Sequence, residues 1–215
     1  SASAAARVAL IAGTAEELAE KAAKAADALR SAKADALPDP DIIFGLGATD
    51  RGKLAFMFPG QGSQYVNMGA AAAMAFDSAR AVWDQAADMP EFAGDRLDRA
   101  VFPPPAFTDE ERAVQAKNVT EMATAQPSIA AVSLGYMSLL DQIGIKPDAA
   151  AGHSFGELSA LAAAGRIPST KLLVSARKRG EFMAEAASTQ AGAMIAVRSD
   201  ADTISALIDE TSGVV

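Results

Sequence analysis

Residues 149–165 read Ala-Ala-Ala-Gly-His-Ser-Phe-Gly-Glu-Leu-Ser-Ala-Leu-Ala-Ala-Ala-Gly. Small apolar residues lead into Gly152-His153-Ser154-Phe155-Gly156, and an alanine-rich amphipathic run follows at once. This order predicts a buried strand over Asp148–Gly152, a very tight turn with Ser154 at its apex, and a helix. Glycines on either side let the two backbones approach closely and tolerate strained dihedrals. Such a turn lifts the serine oxygen out of the sheet and sets it over a helix N-terminus, where free N–H groups favour a developing oxyanion. G-x-S-x-G in this setting is a nucleophile elbow. The competing reading is a glycine-rich connection with an incidental serine. Glu157 falls in the first helical turn, where its charge suits the helix dipole, a structural role.

Upstream, Leu54–Phe58 is a short continuous apolar run, the mark of a strand buried on both faces. It runs into Pro59-Gly60-Gln61-Gly62-Ser63-Gln64, a turn just past the strand's C-terminal end. Loops at that edge of an open α/β sheet build sites; the alternative is a plain strand–helix turn. A phosphate loop is excluded, because no Gly-Lys-Ser/Thr ending follows.

Helices are expected at Val66–Ala75, Phe76–Ala87 and Asp109–Lys117, with Trp83 a packing residue rather than a substrate platform. Gln126-Pro127 opens an apolar helix to Leu140, with proline in the favoured first turn and Gly144 closing it. Ser169 starts another helix, to about Ala187. There Leu172, Ala176, Arg179 and Met183 share one stripe, while Arg177 and Lys178 point away. A guanidinium on the core-facing stripe needs a partner. The spacing alone leaves open a buried salt bridge, an arginine snorkelling from the stripe's edge, or a fork awaiting a carboxylate ligand.

At the N-terminus, Arg7–Ala12 is β-prone and Thr14 caps a helix over Ala15–Ala34, with Leu18, Ala22, Ala25 and Leu29 on one face. Pro38-Asp39-Pro40 ends it, and the glycine-rich stretch to Gly52 reads as a connector. At the C-terminus, strands at Ala193–Val197 and from Val214 flank a helix at Ala201–Asp209. A Ser-Ala-Ser start and a strand just beginning at Gly213-Val214-Val215 suggest a piece of a longer polypeptide.

Half of the 215 residues are hydrophobic, enough for one good core with a small satellite. A net charge of −8 gives no electrostatic footprint for nucleic acid, and no basic cluster suggests a membrane surface. With no cysteine and one histidine, disulfides are excluded and a metal centre is not expected. No apolar run is long enough to span a bilayer and no signal peptide is visible, so a cytoplasmic protein is expected.

Phe58-Pro59-Gly60-Gln61-Gly62-Ser63-Gln64, Gln126-Pro127, Gly152-His153-Ser154-Phe155-Gly156-Glu157 and Arg179-Gly180 together resemble the malonyl-CoA:acyl carrier protein transacylases. Among these the chain looks most like the acyltransferase domains of multidomain polyketide and polyunsaturated fatty acid synthases. The resemblance covers roughly Leu54–Val215. A weaker one likens residues 1–51 to the α+β linker unit between ketosynthase and acyltransferase. It implies an α/β fold: an α/β-hydrolase-like subdomain with a parallel sheet over 52–189, and the start of a ferredoxin-like small subdomain over 190–215. It also implies ping-pong transfer of an acyl group from coenzyme A to Ser154, then to the phosphopantetheine thiol of an acyl carrier protein. Ser154 is then the nucleophile, and the backbone N–H groups of Gln61 and Phe155 form the oxyanion hole. Arg179 holds the malonyl carboxylate, while Gly60, Gly62, Gly152, His153 and Gly156 shape the site. Phe155, in place of glutamine, fits malonyl better than methylmalonyl. Malonyl-CoA is substrate, no cofactor is bound, and the implied partners are the carrier protein, the ketosynthase and other synthase domains.

The pattern departs from the family in one respect. Its general base is a histidine well downstream of the serine, and the one histidine here, His153, adjoins Ser154 in the elbow, where consecutive residues diverge. These residues alone should be a poor catalyst, with the base expected on a further segment. Two rival functions stand beside the acyltransferase: a serine hydrolase or thioesterase on the same elbow, and a docking piece of a synthase.

Overall fold

The computed structural model describes residues 6–31, 39–46, 52–189 and 197–210 and divides into two units, Ser1–Gly52 and Lys53–Val215. In the first, strand β1 (Ala6–Leu10) precedes helix α1 (Ala15–Arg30). Thr14 caps the helix by accepting the Glu17 N–H at 3.1 Å, and Glu17 accepts the Gly13 N–H at 2.8 Å. The helix ends at Arg30, where Ser31 caps it, short of the expected Ala34. Ile42–Leu46, expected as connector, is strand β2, antiparallel to β1 with Leu10 opposite Ile42. Its β-prone Ile-Ile-Phe satisfies its backbone by pairing, which outweighs the single Gly45.

The buried stripe of α1 is Lys21, Ala25 and Ala28; Leu18 and Leu29, expected on it, are 46% and 42% exposed. The reason is the ammonium of Lys21. It donates to the Ile11 carbonyl (2.6 Å), Glu17 (2.6 Å) and Asp41 (2.7 Å), using all three donors. Asp41, then Glu17, hold the Lys21 pKa above the ordinary lysine range. Lys21, with the Gly13 N–H, holds Glu17 below the ordinary carboxylate range.

In the second unit, β3 (Ala55–Phe58) pairs in parallel with β4 (Ala149–Gly152), Ala55 opposite Ala149 and Phe58 opposite Gly152. Strand β3, expected to be buried on both faces, is not, and β4, expected to be buried, is exposed to half-buried. Among the described residues the sheet has two strands, and successive side chains alternate faces. Phe56 looks into a cleft with Leu134 and Ala162, whereas Met57 on the other face is 74% exposed.

Between the two strands lie α2 (Ala70–Ala75), α3 (Asp77–Asp88), a 3-10 turn (Pro90–Phe92), α4 (Leu97–Val101), α5 (Asp109–Thr120) and α6 (Met122–Gln142). Helix α2 begins after the expected Val66, because Asn67 (φ 66°) and Gly69 (φ 75°) take left-handed backbone and turn the chain first. Thr108 and Glu111 form a capping box that starts α5. After β4 come α7 (Gly156–Ala163), α8 (Ser169–Thr189) and α9 (Ala201–Glu210). The core gathers Trp83, Phe92, Leu97, Val101, Ile129, Phe155, Leu172 and Leu173, with the Trp83 ring edge-on to Phe102 at 4.7 Å. The expected strands at Ala193–Val197 and Val214 lie, Val197 apart, outside the described residues.

The α6–α8 packing corrects two expectations. Helix α6 begins at Met122, so Pro127 sits inside it rather than in its first turn. Proline removes the N–H that would bond the Ala123 carbonyl. That carbonyl instead accepts Nη1 of Arg177 at 3.2 Å. Arg177 therefore turns inward: its side chain is 14% exposed and pairs with Asp95 (3.0 Å) and Glu181 (2.9 Å). Beside it, Gly180 lies so close to the Met122 carbonyl that a Cβ would overlap it.

One outcome follows from this packing and another from the Lys21 cluster of the first unit. Gly180→Ala should destabilise the chain by about 1–3 kcal/mol through overpacking, read as a lower urea midpoint at unchanged m-value. In the first unit, the contribution of a depressed Glu17 is present above its ordinary pKa of 4.5 and is lost as acid titrates it. Hydrogen exchange should show the α1 amides losing protection below that pH, and Lys21→Met should weaken protection at neutral pH while flattening the acid response.

Candidate active site

Because β3 and β4 are parallel, their C-terminal ends open on the same edge, and the loops 59–64 and 153–155 leave it side by side. The His153 N–H donates to the Phe58 carbonyl at 3.1 Å, extending the pairing by one residue. The chain then reverses within three residues. The Gly156 N–H donates to His153 (2.9 Å), Glu157 to Ser154 (3.1 Å) and Leu158 to Phe155 (3.0 Å), which starts α7. Ser154 takes φ 52°, a left-handed conformation that costs a non-glycine residue on the order of 1 kcal/mol.

Missing side chains make this possible. A Cβ on Gly152 would overlap the Gly156 backbone, one on Gly156 would overlap the Phe58 carbonyl, and one on Gly60 would meet the His153 carbonyl. Phe155 is fully buried and anchors the turn in the core. Ser154 and His153 are exposed, and among the described residues no side chain hydrogen-bonds the Ser154 hydroxyl. The imidazole of His153 makes no bond to it either.

The facing loop is held by its own polar groups. The Ser63 hydroxyl donates to the Gly60 carbonyl at 2.8 Å, and the Gly62 N–H, at φ 105°, donates to the Gln64 side chain at 2.7 Å. The backbone N–H groups of Gln61 and Phe155 are engaged by no acceptor among the described residues.

Arg179 joins this edge through a residue that the sequence marks as a helix start and part of a family motif, but not as part of the site. Its Nη1 donates to Oε1 of Gln126 at 2.8 Å, and Nε2 of Gln126 donates to Oε1 of Gln61 at 3.0 Å and to Met183 Sδ at 3.2 Å. Gln126 is fully buried. The available signal was a polar amide inside the apolar run that begins α6, directly before Pro127. Among the described residues no carboxylate pairs with the half-buried Arg179, so its remaining donors are available to a ligand. Gly60, Gln61, Gly62, Gly152, His153, Ser154, Phe155 and Gly156 thus meet at one sheet edge, with Arg179 tied to it through Gln126. An exposed hydroxyl, unengaged N–H donors and a fork open to a carboxylate are a set suited to acyl chemistry on an anionic acyl group. No three His, Asp or Glu side chains cluster as metal ligands among the described residues.

Residues 55–215 match the family model described as "Acyl transferase domain". The chain belongs to the acyl transferase domain family. It is 35% identical over 161 residues to the malonyl CoA-acyl carrier protein transacylase of Bacillus subtilis, covering 74% of this chain and 47% of that protein. The acyltransferase domain from the second module of the salinomycin polyketide synthase superposes with a TM-score of 0.69 at 29% identity, covering 97% of this chain and 44% of that one. A type II polyketide malonyl-transacylase solved in complex with its acyl-carrier protein gives a TM-score of 0.52 at 32% identity, covering 63% and 40%. The chain therefore spans less than half the length of these relatives. Its α/β architecture, with a parallel strand pair and many helices, is that of the acyl transferase family. No described helix is long and apolar enough to cross a membrane.

Within the domain, the Ser159 hydroxyl on α7 is fully buried, with no hydrogen-bond partner among the described residues. Ser159→Ala should therefore stabilise the domain by about 1 kcal/mol, seen as a raised urea midpoint.

Proposed function

We propose that this acyl transferase domain moves a malonyl group from coenzyme A, through an acyl-serine on Ser154, to the phosphopantetheine thiol of an acyl carrier protein. The observation that carries the reading is the pairing of two features at one sheet edge. Ser154 stands exposed at a left-handed apex next to the unengaged Phe155 N–H, the loop beside it carries the unengaged Gln61 N–H, and Arg179 is tied to that loop through an amide rather than held by a carboxylate.

In the first half-reaction the Ser154 oxygen attacks the thioester carbonyl. The N–H groups of Gln61 and Phe155 take the developing oxyanion, and a general base that these residues do not supply takes the serine proton. As the tetrahedral adduct collapses, the C–S bond breaks and that proton passes to the sulfur, so that coenzyme A leaves as the thiol. The second half-reaction reverses these steps with the carrier's thiol as nucleophile. Arg179 selects the acyl group by pairing its guanidinium with the distal malonyl carboxylate. His153, with Gly60, Gly62, Gly152 and Gly156, shapes the turn rather than removing the serine proton. The reading requires no cofactor: coenzyme A arrives as substrate and phosphopantetheine on the partner. It further takes residues 52–189 as an α/β-hydrolase-like subdomain, 190–215 as the start of a ferredoxin-like one, and 1–51 as the linker unit of a synthase that also carries a ketosynthase. The likeness to malonyl transacylases, one of them solved with its acyl-carrier protein, and to a polyketide synthase acyltransferase domain supports this reading.

The test is intact-mass spectrometry after incubation with malonyl-CoA. A malonyl adduct that Ser154→Ala abolishes is the expected result, and release of the adduct to water faster than to a carrier protein would assign a hydrolase instead. Arg179→Ala should lower malonyl labelling roughly 10- to 100-fold while leaving acetyl labelling from acetyl-CoA largely in place, since charge-assisted hydrogen bonds contribute about 1.5–3 kcal/mol.

A further inference from the structure

A proline inside α6 creates a defect beside the site. Without an N–H on Pro127, the Ala123 carbonyl loses its place in the helix ladder, and an orphan carbonyl in a packed interface must find another donor. Arg177 supplies it at 3.2 Å. The guanidinium is fixed on every side: Asp95 at 3.0 Å, Glu181 at 2.9 Å, and the Phe92 ring 5.9 Å away at its centroid. At 14% exposure it behaves as a fitted part rather than a surface charge.

What Arg177 grips is the turn that carries Gln126. Ala123 and Gln126 are three residues apart and so lie on one face of α6. Gln126 holds both Arg179 and Gln61. On α8, Gly180 falls roughly 60° from Arg177 and 100° from Arg179 around the helix, between the two, and sits on the Met122 carbonyl. The arginines therefore straddle one backbone contact, one binding the α6 main chain and the other binding Gln126.

We propose that Arg177 is a positioning residue: by clamping the proline-freed Ala123 carbonyl it sets the depth and rotation of Gln126, and thereby aims Arg179 at the acyl carboxylate. This inference rests on the reading of Arg179 as the carboxylate binder. Asp95 and Glu181 act one step further out, by holding the Arg177 guanidinium in place.

The test compares Arg177→Met, which keeps the stem and removes the donors, with Arg177→Lys, which restores a single donor, and with the exposed Asp95→Asn, which leaves Arg177 in place but loosens it. Labelling of Ser154 is followed against concentration for malonyl-CoA and for acetyl-CoA. The expected result for Arg177→Met is a rise of roughly 10-fold or more in the malonyl-CoA concentration needed for half-maximal labelling, with acetyl labelling near wild type, because misplacing a positioning group by a fraction of an ångström is costly. Arg177→Lys should recover part of the loss, and Asp95→Asn should show a smaller loss of the same kind. Equal losses with both thioesters would mean a purely structural role and would overturn the proposal. Independently of activity, exchange of the Gln126 side-chain amide protons is measured by NMR in the same variants. Faster exchange in Arg177→Met and Asp95→Asn is expected, and wild-type rates in both would sink the proposal. Absence of any label in the wild-type chain would bear on the general base and on the function proposed for the domain rather than on Arg177, and the Gln126 exchange rates would still decide whether Arg177 sets that side chain.

Discussion

Three missing Cβ atoms govern the architecture of the active edge. Gly152 and Gly156 touch backbone to backbone, Gly156 presses on the Phe58 carbonyl, and Gly60 lies against His153. Any side chain at these points would push β3, β4 and α7 apart, so the contact fixes how near loop 59–64 comes to the turn at Ser154. Both unengaged N–H groups, one from each loop, depend on that distance. The strain of Ser154 at φ 52° is sustained by the same contacts, together with the burial of Phe155 next to it.

A second close approach does comparable work between α6 and α8. Gly180 admits the Met122 carbonyl, and Pro127 frees the Ala123 carbonyl just beyond it. The Ala123 oxygen, which a regular helix would consume internally, becomes a point by which α8 holds α6. Gln126 emerges from this irregular turn with its amide divided between Arg179 and Gln61. Carboxylate recognition and the oxyanion loop are thus linked by one buried side chain rather than placed independently.

The two arginines of α8 show how little a charge alone says about its use. Arg177 is neutralised by Asp95 and Glu181, and Glu181, held below the ordinary carboxylate range by Lys178 and then Arg177, stays ionised through mildly acidic pH. Arg179, two residues on, meets a neutral amide and keeps its capacity for an anion. The same residue type serves as a clamp in one case and as an open binding group in the other, according to what faces it.

The linear sequence determined those features that depend on neighbours in the chain. The G-x-S-x-G turn, the strand before it and the helix after it were legible because glycine spacing and hydrophobic period act locally. So was the placing of Arg179 on the inward stripe of α8, and the family motifs followed from the same residues. Features that depend on a distant partner were not legible. The stripe of α1 rotates to bury Lys21 because Asp41, twenty residues on, completes its bonds. Residues 42–46 become a strand because β1 is there to pair with. Arg177 turns inward because a proline on another helix leaves a carbonyl for it to bind. Gln126 becomes the link between Arg179 and Gln61 only when three separated segments meet. In each case a polar group's position was decided by the search for a hydrogen-bond partner across the fold, and periodicity along one helix carries no record of where that partner lies.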